Sequence, residues 1–201
     1  NLTQAQTLCQ VLPCTHINML PIQSFKYPNG KYGVYIYKSG YQSTSAIFGS
    51  SPQHLRKKGC VDSDDGKSVL LLPIRHPVER FASGVNTVRK NKKYAGYSVN
   101  DLIEMLEQNT FRNLHFMDIA TVLRNACFYF DDIHLYKFPE HYENMLHDGE
   151  YYGEIPHHNK SDKTLILTDS QKERVSRYYA KDFELFDSIK EPGQKFYFFK
   201  I

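Results

Sequence analysis

Two short apolar runs, each closed by a cation and then by a helix signal, constrain the fold of this chain more than any other feature. Gly33 to Tyr37 (GVYIY) leads straight into Lys38, Ser39 and Gly40, and Ser68 to Ile74 (SVLLLPI) leads into Arg75, His76 and Pro77. Runs this apolar, without the alternation of a half-solvated strand, suit parallel strands covered on both faces. A third run, Ile133 to Phe138 (IHLYKF), follows two aspartates and reads as another strand. Helical patterns lie between and after them: Ser43 to about Leu55, Val78 to Lys90, and a stretch opened by the capping box Ser98-x-x-Asp101. A last one, opened by Thr168-x-x-Gln171, carries Val175, Tyr178, Tyr179 and Phe183 on one face. Strands alternating with helices predict an α/β domain of three layers, α/β/α, around a central, mostly parallel sheet. Ligands of such sheets sit at the carboxyl ends of the strands, which places Lys38 and Arg75 along one edge.

The chain of 201 residues, 41% hydrophobic and 14% aromatic, is read as a single domain covering 1–201 with enough apolar material for a core. Its net charge of +3, from 25 basic and 22 acidic residues, gives no ground for a nucleic-acid partner. No apolar run approaches the roughly 20 residues of a membrane helix, so no membrane segment is expected. Four cysteines show neither a CxxC pair nor zinc-finger spacing.

The junction after the first run has the residue types of an anion site. A helix N-terminus offers backbone N–H groups and the positive end of the helix dipole. Lys38 adds a full charge, Gly40 admits close approach of the backbone, and Ser39, Ser43, Thr44 and Ser45 supply hydroxyl donors. The lysine precedes the glycine, so this is not the G-x-x-x-x-G-K-[ST] loop of nucleotide kinases, and a small-molecule kinase is disfavoured. At the second junction Arg75 ends the strand, Pro77 suits the first helical turn, and Arg80 and Ser83, three apart, share a helix face. Arginine grips phosphate oxygens in pairs, and a serine hydroxyl completes the shell. Anion sites on two adjacent strand ends suit a ligand with phosphates at both ends.

The run Arg75-His76-Pro77-Val78-Glu79-Arg80-Phe81-Ala82-Ser83 resembles the R-[DH]-P-x-x-R-x-x-S signature of sulfotransferases, closest to the Golgi-type carbohydrate enzymes. Lys38-Ser39-Gly40 is similar to the opening of that family's lysine-led loop, although Tyr41 and Gln42 stand where small hydroxyl residues usually follow. Pro156 to Phe186 resembles the family's closing Asn-x-Ser segment and its Tyr-x-x-Asp-[FY]-x-[LI]-F helix. The resemblance implies a P-loop-like sulfotransferase fold. It also implies transfer of a sulfuryl group from 3′-phosphoadenosine 5′-phosphosulfate (PAPS, leaving PAP) to a hydroxyl or amine, with a carbohydrate as the expected acceptor and no metal. Arg75 and Ser83 would hold the 3′-phosphate, the Lys38 loop the 5′-phosphosulfate, and Asn159 and Ser161 would sit in a lid that closes over the nucleotide.

Lys38 is then the candidate for stabilising the departing phosphate. Two histidines compete for the role of proton acceptor: His115, in a segment (Asn113 to Leu123) similar to the family's His-containing motif, and His54, between the two phosphate sites in chain order. His76 is read as a structural variant within the arginine motif. A protein that holds PAP or PAPS without chemistry is the alternative from a different class. A cytoplasmic location is expected, with the Golgi lumen, behind an N-terminal anchor, as the other possibility.

Overall fold

The computed structural model describes residues 22–36, 38–49, 53–55, 68–111, 113–127, 129–156 and 165–196. Among these residues six strands form one sheet in the order β3-β1-β2-β4-β5-β6. They are β1 (Ile22–Lys26), β2 (Tyr32–Val34), β3 (Gln53–Leu55), β4 (Val69–Arg75), β5 (Asp132–Phe138) and β6 (Gln194–Phe196). β4 pairs in parallel with β2 and, over seven residues from Val69↔Asp132 to Arg75↔Phe138, with β5. The pairings β1–β2, β1–β3 and β5–β6 are antiparallel.

The sheet is therefore mixed, not mostly parallel as expected. The first strands arrive by a hairpin instead of a helical crossover. The chain reverses between Tyr27 and Lys31, where Tyr27 N–H donates to Lys31 O (2.8 Å) and Gly30 N–H to Tyr27 O (3.0 Å). A second departure follows it. The expected helix from Ser43 to Leu55 ends at Phe48, and Gln53–Leu55 returns as an edge strand beside β1.

Seven α-helices are present among the described residues: α1 (Tyr41–Phe48), α2 (Pro77–Val88), α3 (Val99–Glu107), α4 (Ile119–Ala126), α5 (Tyr142–Asp148), α6 (Asp169–Tyr178) and α7 (Ala180–Ser188). Both expected capping boxes are formed, Ser98 with Asp101 opening α3 and Thr168 with Gln171 opening α6. Alternation along the central strands divides the core. Leu70, Leu72, Ile74, Ile133 and Leu135 face α4 and α7, while Leu71 and Tyr136 face α5 and the end of α1. Helices thus cover both faces, and each fully buried leucine or isoleucine of β4 contributes about 1.5–3 kcal/mol. A third apolar cluster joins α2, α3 and α6 to a 3₁₀ turn at Leu114–Phe116. No described helix is long and apolar enough to cross a membrane.

Candidate functional site

Because β2 and β4 are parallel neighbours, the segments that follow them emerge side by side. Four residues beyond β2, Lys38 adopts a left-handed conformation (φ 69°), which costs a non-glycine residue about 1–2 kcal/mol. Gly40 is left-handed too (φ 83°), and a Cβ there would stand 2.9 Å from Cε2 of Phe138 and 3.1 Å from Cε2 of Tyr142. This glycine is therefore required by the packing of the loop onto β5 and α5, a need that the expected anion contact does not explain. Ser39 is 2% exposed, its N–H donates to Ile36 O (3.2 Å), and its Oγ is buried without a hydrogen-bond partner among the described residues.

The other hydroxyls divide. Thr44 is buried and its Oγ1 shares a 2.7 Å hydrogen bond with the Tyr142 hydroxyl, so it serves the α1–α5 contact. Ser45 Oγ–H donates back to Gln42 O (3.1 Å) within α1, and Ser43 is half-buried. The sequence pattern marked these residues as donors but carried no sign that Tyr142 would claim one of them.

Arg75 caps β4 with a side chain 27% exposed. Its Nη1 donates to the backbone carbonyl of Lys38 (3.3 Å) and its Nε to Glu79 Oε2 (3.3 Å), while the guanidinium carbon lies 6.0 Å from the centre of the Phe138 ring. The two strand tips are in direct contact. Lys38 reaches onward to α2, where its Nζ donates to Thr87 Oγ1, one turn past the half-buried Ser83, whose carbonyl accepts from Thr87 Oγ1 (3.3 Å). Burial pushes the Lys38 ammonium below its ordinary range, with Lys90 and Arg75 adding to the shift. Thr87 is a site residue that the sequence reading missed, although its i+4 spacing from Ser83 was a usable signal.

Arg80 does not share an open face with Ser83. It is 2% exposed, with Nη2 on Asp182 Oδ2 (2.5 Å), Nη1 on Met117 O, and its guanidinium carbon 4.8 Å from the centre of the Tyr179 ring. It is a core residue bonded within the protein.

His115 sits in the 3₁₀ turn, whose start is fixed by Asn113 Oδ1 accepting from His115 N–H (3.0 Å). The turn lies against α2 at Gly84, where a Cβ would stand 2.9 Å from Cε1 of Phe116 and 3.3 Å from His115 O. Burial, and then the Lys38 ammonium, push the imidazole down to about 4. Lys38, Arg75 and Thr87 thus form one cluster at the carboxyl ends of β2 and β4, and the turn that carries His115 rests on α2 one turn before Thr87.

No family model, curated protein or solved structure matches this chain.

The remaining candidates lie elsewhere. His54 is in edge strand β3, paired with Gln23 of β1, and β3 is separated from β4 by β1 and β2. Asn159 and Ser161 fall outside the described residues, as do the rest of the expected lid (Pro156 to Lys163) after Pro156 and the cysteines Cys9, Cys14 and Cys60. His76 meets the rings of Phe183 (5.1 Å) and Phe186 (5.3 Å) edge-on, which agrees with a structural role.

The His115 environment has a measurable consequence. An unfolded histidine takes a proton near 6.5, whereas His115 in the folded chain stays neutral down to about 4. Between those values the unfolded chain binds more protons, so stability falls as pH drops from 6.5 toward 4. His134, also lowered by burial, adds to the same slope. His115→Gln should flatten that slope, measured by urea titrations at pH 7.5 and 5.0.

Proposed function

We propose that the chain is a PAPS-dependent sulfotransferase of P-loop-like fold. The observation that carries this reading is the contact between the two strand tips, an ammonium and a guanidinium within one cluster beside a neutral histidine. A doubly phosphorylated adenosine needs two cationic grips at a fixed separation, and the Arg75–Lys38 carbonyl bond sets such a separation. Arg75, with Ser83, would hold the 3′-phosphate. Lys38 and the loop N–H groups would hold the 5′-phosphosulfate, where the buried Ser39 Oγ still needs a partner.

In the reaction the acceptor oxygen bonds to sulfur as the bond from sulfur to the bridging phosphate oxygen breaks. The electron pair stays on that oxygen, where Lys38, released from Thr87, meets the growing charge. His115 takes the acceptor proton, and being neutral it is ready to do so at pH 7. A dianionic donor beside it would raise its basicity from the present low value.

The acceptor we assign to the loop that follows α2. Lys90, whose N–H donates to Thr87 O (3.1 Å), opens an exposed series with Lys92 and Lys93. Beyond them a groove of about 500 Å³ is lined by Gly96, Tyr97, Asp101, Glu104, Met105 and Gln108. Aromatic, amide and carboxylate groups together are suited to stacking and hydrogen bonding with a sugar.

The direct test is transfer of radiolabelled sulfate from PAPS to a panel of saccharides, with binding of PAP followed separately. At a hundredfold excess over its dissociation constant PAP should add about 2.7 kcal/mol of stability, and ATP with Mg²⁺ much less. Arg75→Ala should weaken PAP binding by about 10–150-fold, the loss of one hydrogen-bonded charge. A second reading, a nucleotide-binding protein without chemistry, draws on the weak basicity of His115. It predicts the same stabilisation by PAP with no transfer to any acceptor.

A further inference from the structure

The turn that carries His115 is anchored by far more buried polar structure than a helix start requires. Asp118 already caps α4, its Oδ1 accepting from Thr121 N–H (2.6 Å). Yet four further backbone groups around the turn are held from outside. Phe116 O accepts from the Tyr179 hydroxyl (2.7 Å) and Met117 O from Arg80 Nη1. Ile119 N–H donates to Asp182 Oδ2 (3.0 Å) and Ala120 N–H to Asp182 Oδ1 (3.1 Å). The holders are themselves joined, since Arg80 Nη2 donates to Asp182 Oδ2 and the Arg80 guanidinium stacks on the Tyr179 ring.

All three holders are buried, and desolvating an ion pair costs several kcal/mol per charge, so packing alone would be served as well by apolar side chains. What the polar arrangement supplies instead is direction. Each bond is to a backbone atom, so it fixes where the turn runs whatever side chains the turn carries. On its other side the turn rests on α2 at Gly84, three residues before Thr87, which receives the Lys38 ammonium. The turn is thus clamped between the helix that holds Lys38 and the junction of α6 with α7.

We propose that Tyr179, Asp182 and Arg80 are positioning residues that aim His115 at the Lys38 cluster. None of the three touches the proposed ligand; they act through the backbone of residues 116–120. The proposal rests on the sulfotransferase reading for its meaning in catalysis, but its physical content is the placement of one imidazole beside one ammonium.

The test uses the whole chain with Tyr179→Phe, which removes one hydroxyl and keeps the ring under Arg80, and with Asp182→Asn, which removes the charge. The His115 imidazole is titrated by NMR of carbon-13-labelled histidine, assigned with His115→Gln, while PAP affinity is measured by calorimetry and turnover with labelled PAPS. In Tyr179→Phe the His115 titration should move up from about 4 toward the ordinary histidine range, because the ring is no longer held in its half-buried place near Lys38. PAP affinity should stay within about twofold and KM for PAPS should hold, while kcat falls by about tenfold or more, as misplacement of a reacting group costs rate. Should Asp182→Asn fail to fold, Tyr179→Phe decides alone. An unchanged His115 titration in the folded variants overturns the proposal. Absence of PAP binding or of transfer in the unaltered chain overturns the sulfotransferase reading instead, and the NMR titration then judges the positioning by itself.

Discussion

Lys38→Ala should lower the turnover of the proposed sulfate transfer by about 10²–10³-fold, the usual cost of removing one preorganised group from the site of charge development. The KM for PAPS should change little, because in that proposal Arg75 and the backbone N–H groups would still hold the nucleotide in the ground state. The backbone gives a control. At φ 69° alanine inherits the strain that lysine bears, whereas Lys38→Gly relieves it. The glycine variant should be as stable as the parent in urea titrations or slightly more so, and equally slow. A chain that accepts about 1–2 kcal/mol of strain to keep a lysine where glycine would fit is keeping it for its charge. Normal turnover in either variant would remove Lys38 from the mechanism.

Arg80→Met should cost about 3–5 kcal/mol in stability, the effect of stripping the partner from a buried charge. The methionine replaces most of the volume, so the loss comes from Asp182, which is 1% exposed and left with two backbone donors and no cation. Burial already pushes the Asp182 carboxyl up, against the pull of Arg80. Without the guanidinium it rises further, and the folded variant holds a proton that the unfolded chain has released. Stability of the variant then falls as pH rises through that elevated value, so its deficit should be larger at pH 8 than at pH 5. Urea titrations at the two pH values check both the size and the direction. A deficit independent of pH would mean that Asp182 had found another partner.

How much of this was legible in the residues depends on which neighbour a given face meets. The β4 and β5 runs, the start of α2 at Pro77 and both capping boxes are local signals and match the structure. The adjacency of Lys38 and Arg75 followed from the parallel-strand reading and holds, since β2 and β4 are neighbours. The β1–β2 hairpin has strong turn chemistry at Asn29-Gly30 but no apolar run to announce its first strand, since β1 (IQSFK) is largely polar. The long C-terminal pattern was read as one helix but divides at Tyr179, whose backbone (φ −99°, ψ 27°) leaves the helical region.

The roles of Thr44 and Arg80 were beyond reach for a different reason. Helical spacing tells which residues share a face, but not that Tyr142, 98 residues from Thr44, or Asp182, 102 residues from Arg80, will cover it. Of the two histidines that competed as base, chain order could not choose. The fold separates them, placing one in an edge strand and the other in a turn against the helix whose Thr87 receives the Lys38 ammonium.

The clamp on residues 116–120 also sets an order of assembly during synthesis. Arg80, the Lys38 loop and every described strand but β6 leave the ribosome before Tyr179 and Asp182 do, so a nascent chain has its cationic tips made while the histidine turn still lacks two of its three holders. A translation product halted in α6 should therefore keep a protease-sensitive bond near residue 117, and that sensitivity should vanish once the α7 segment is made.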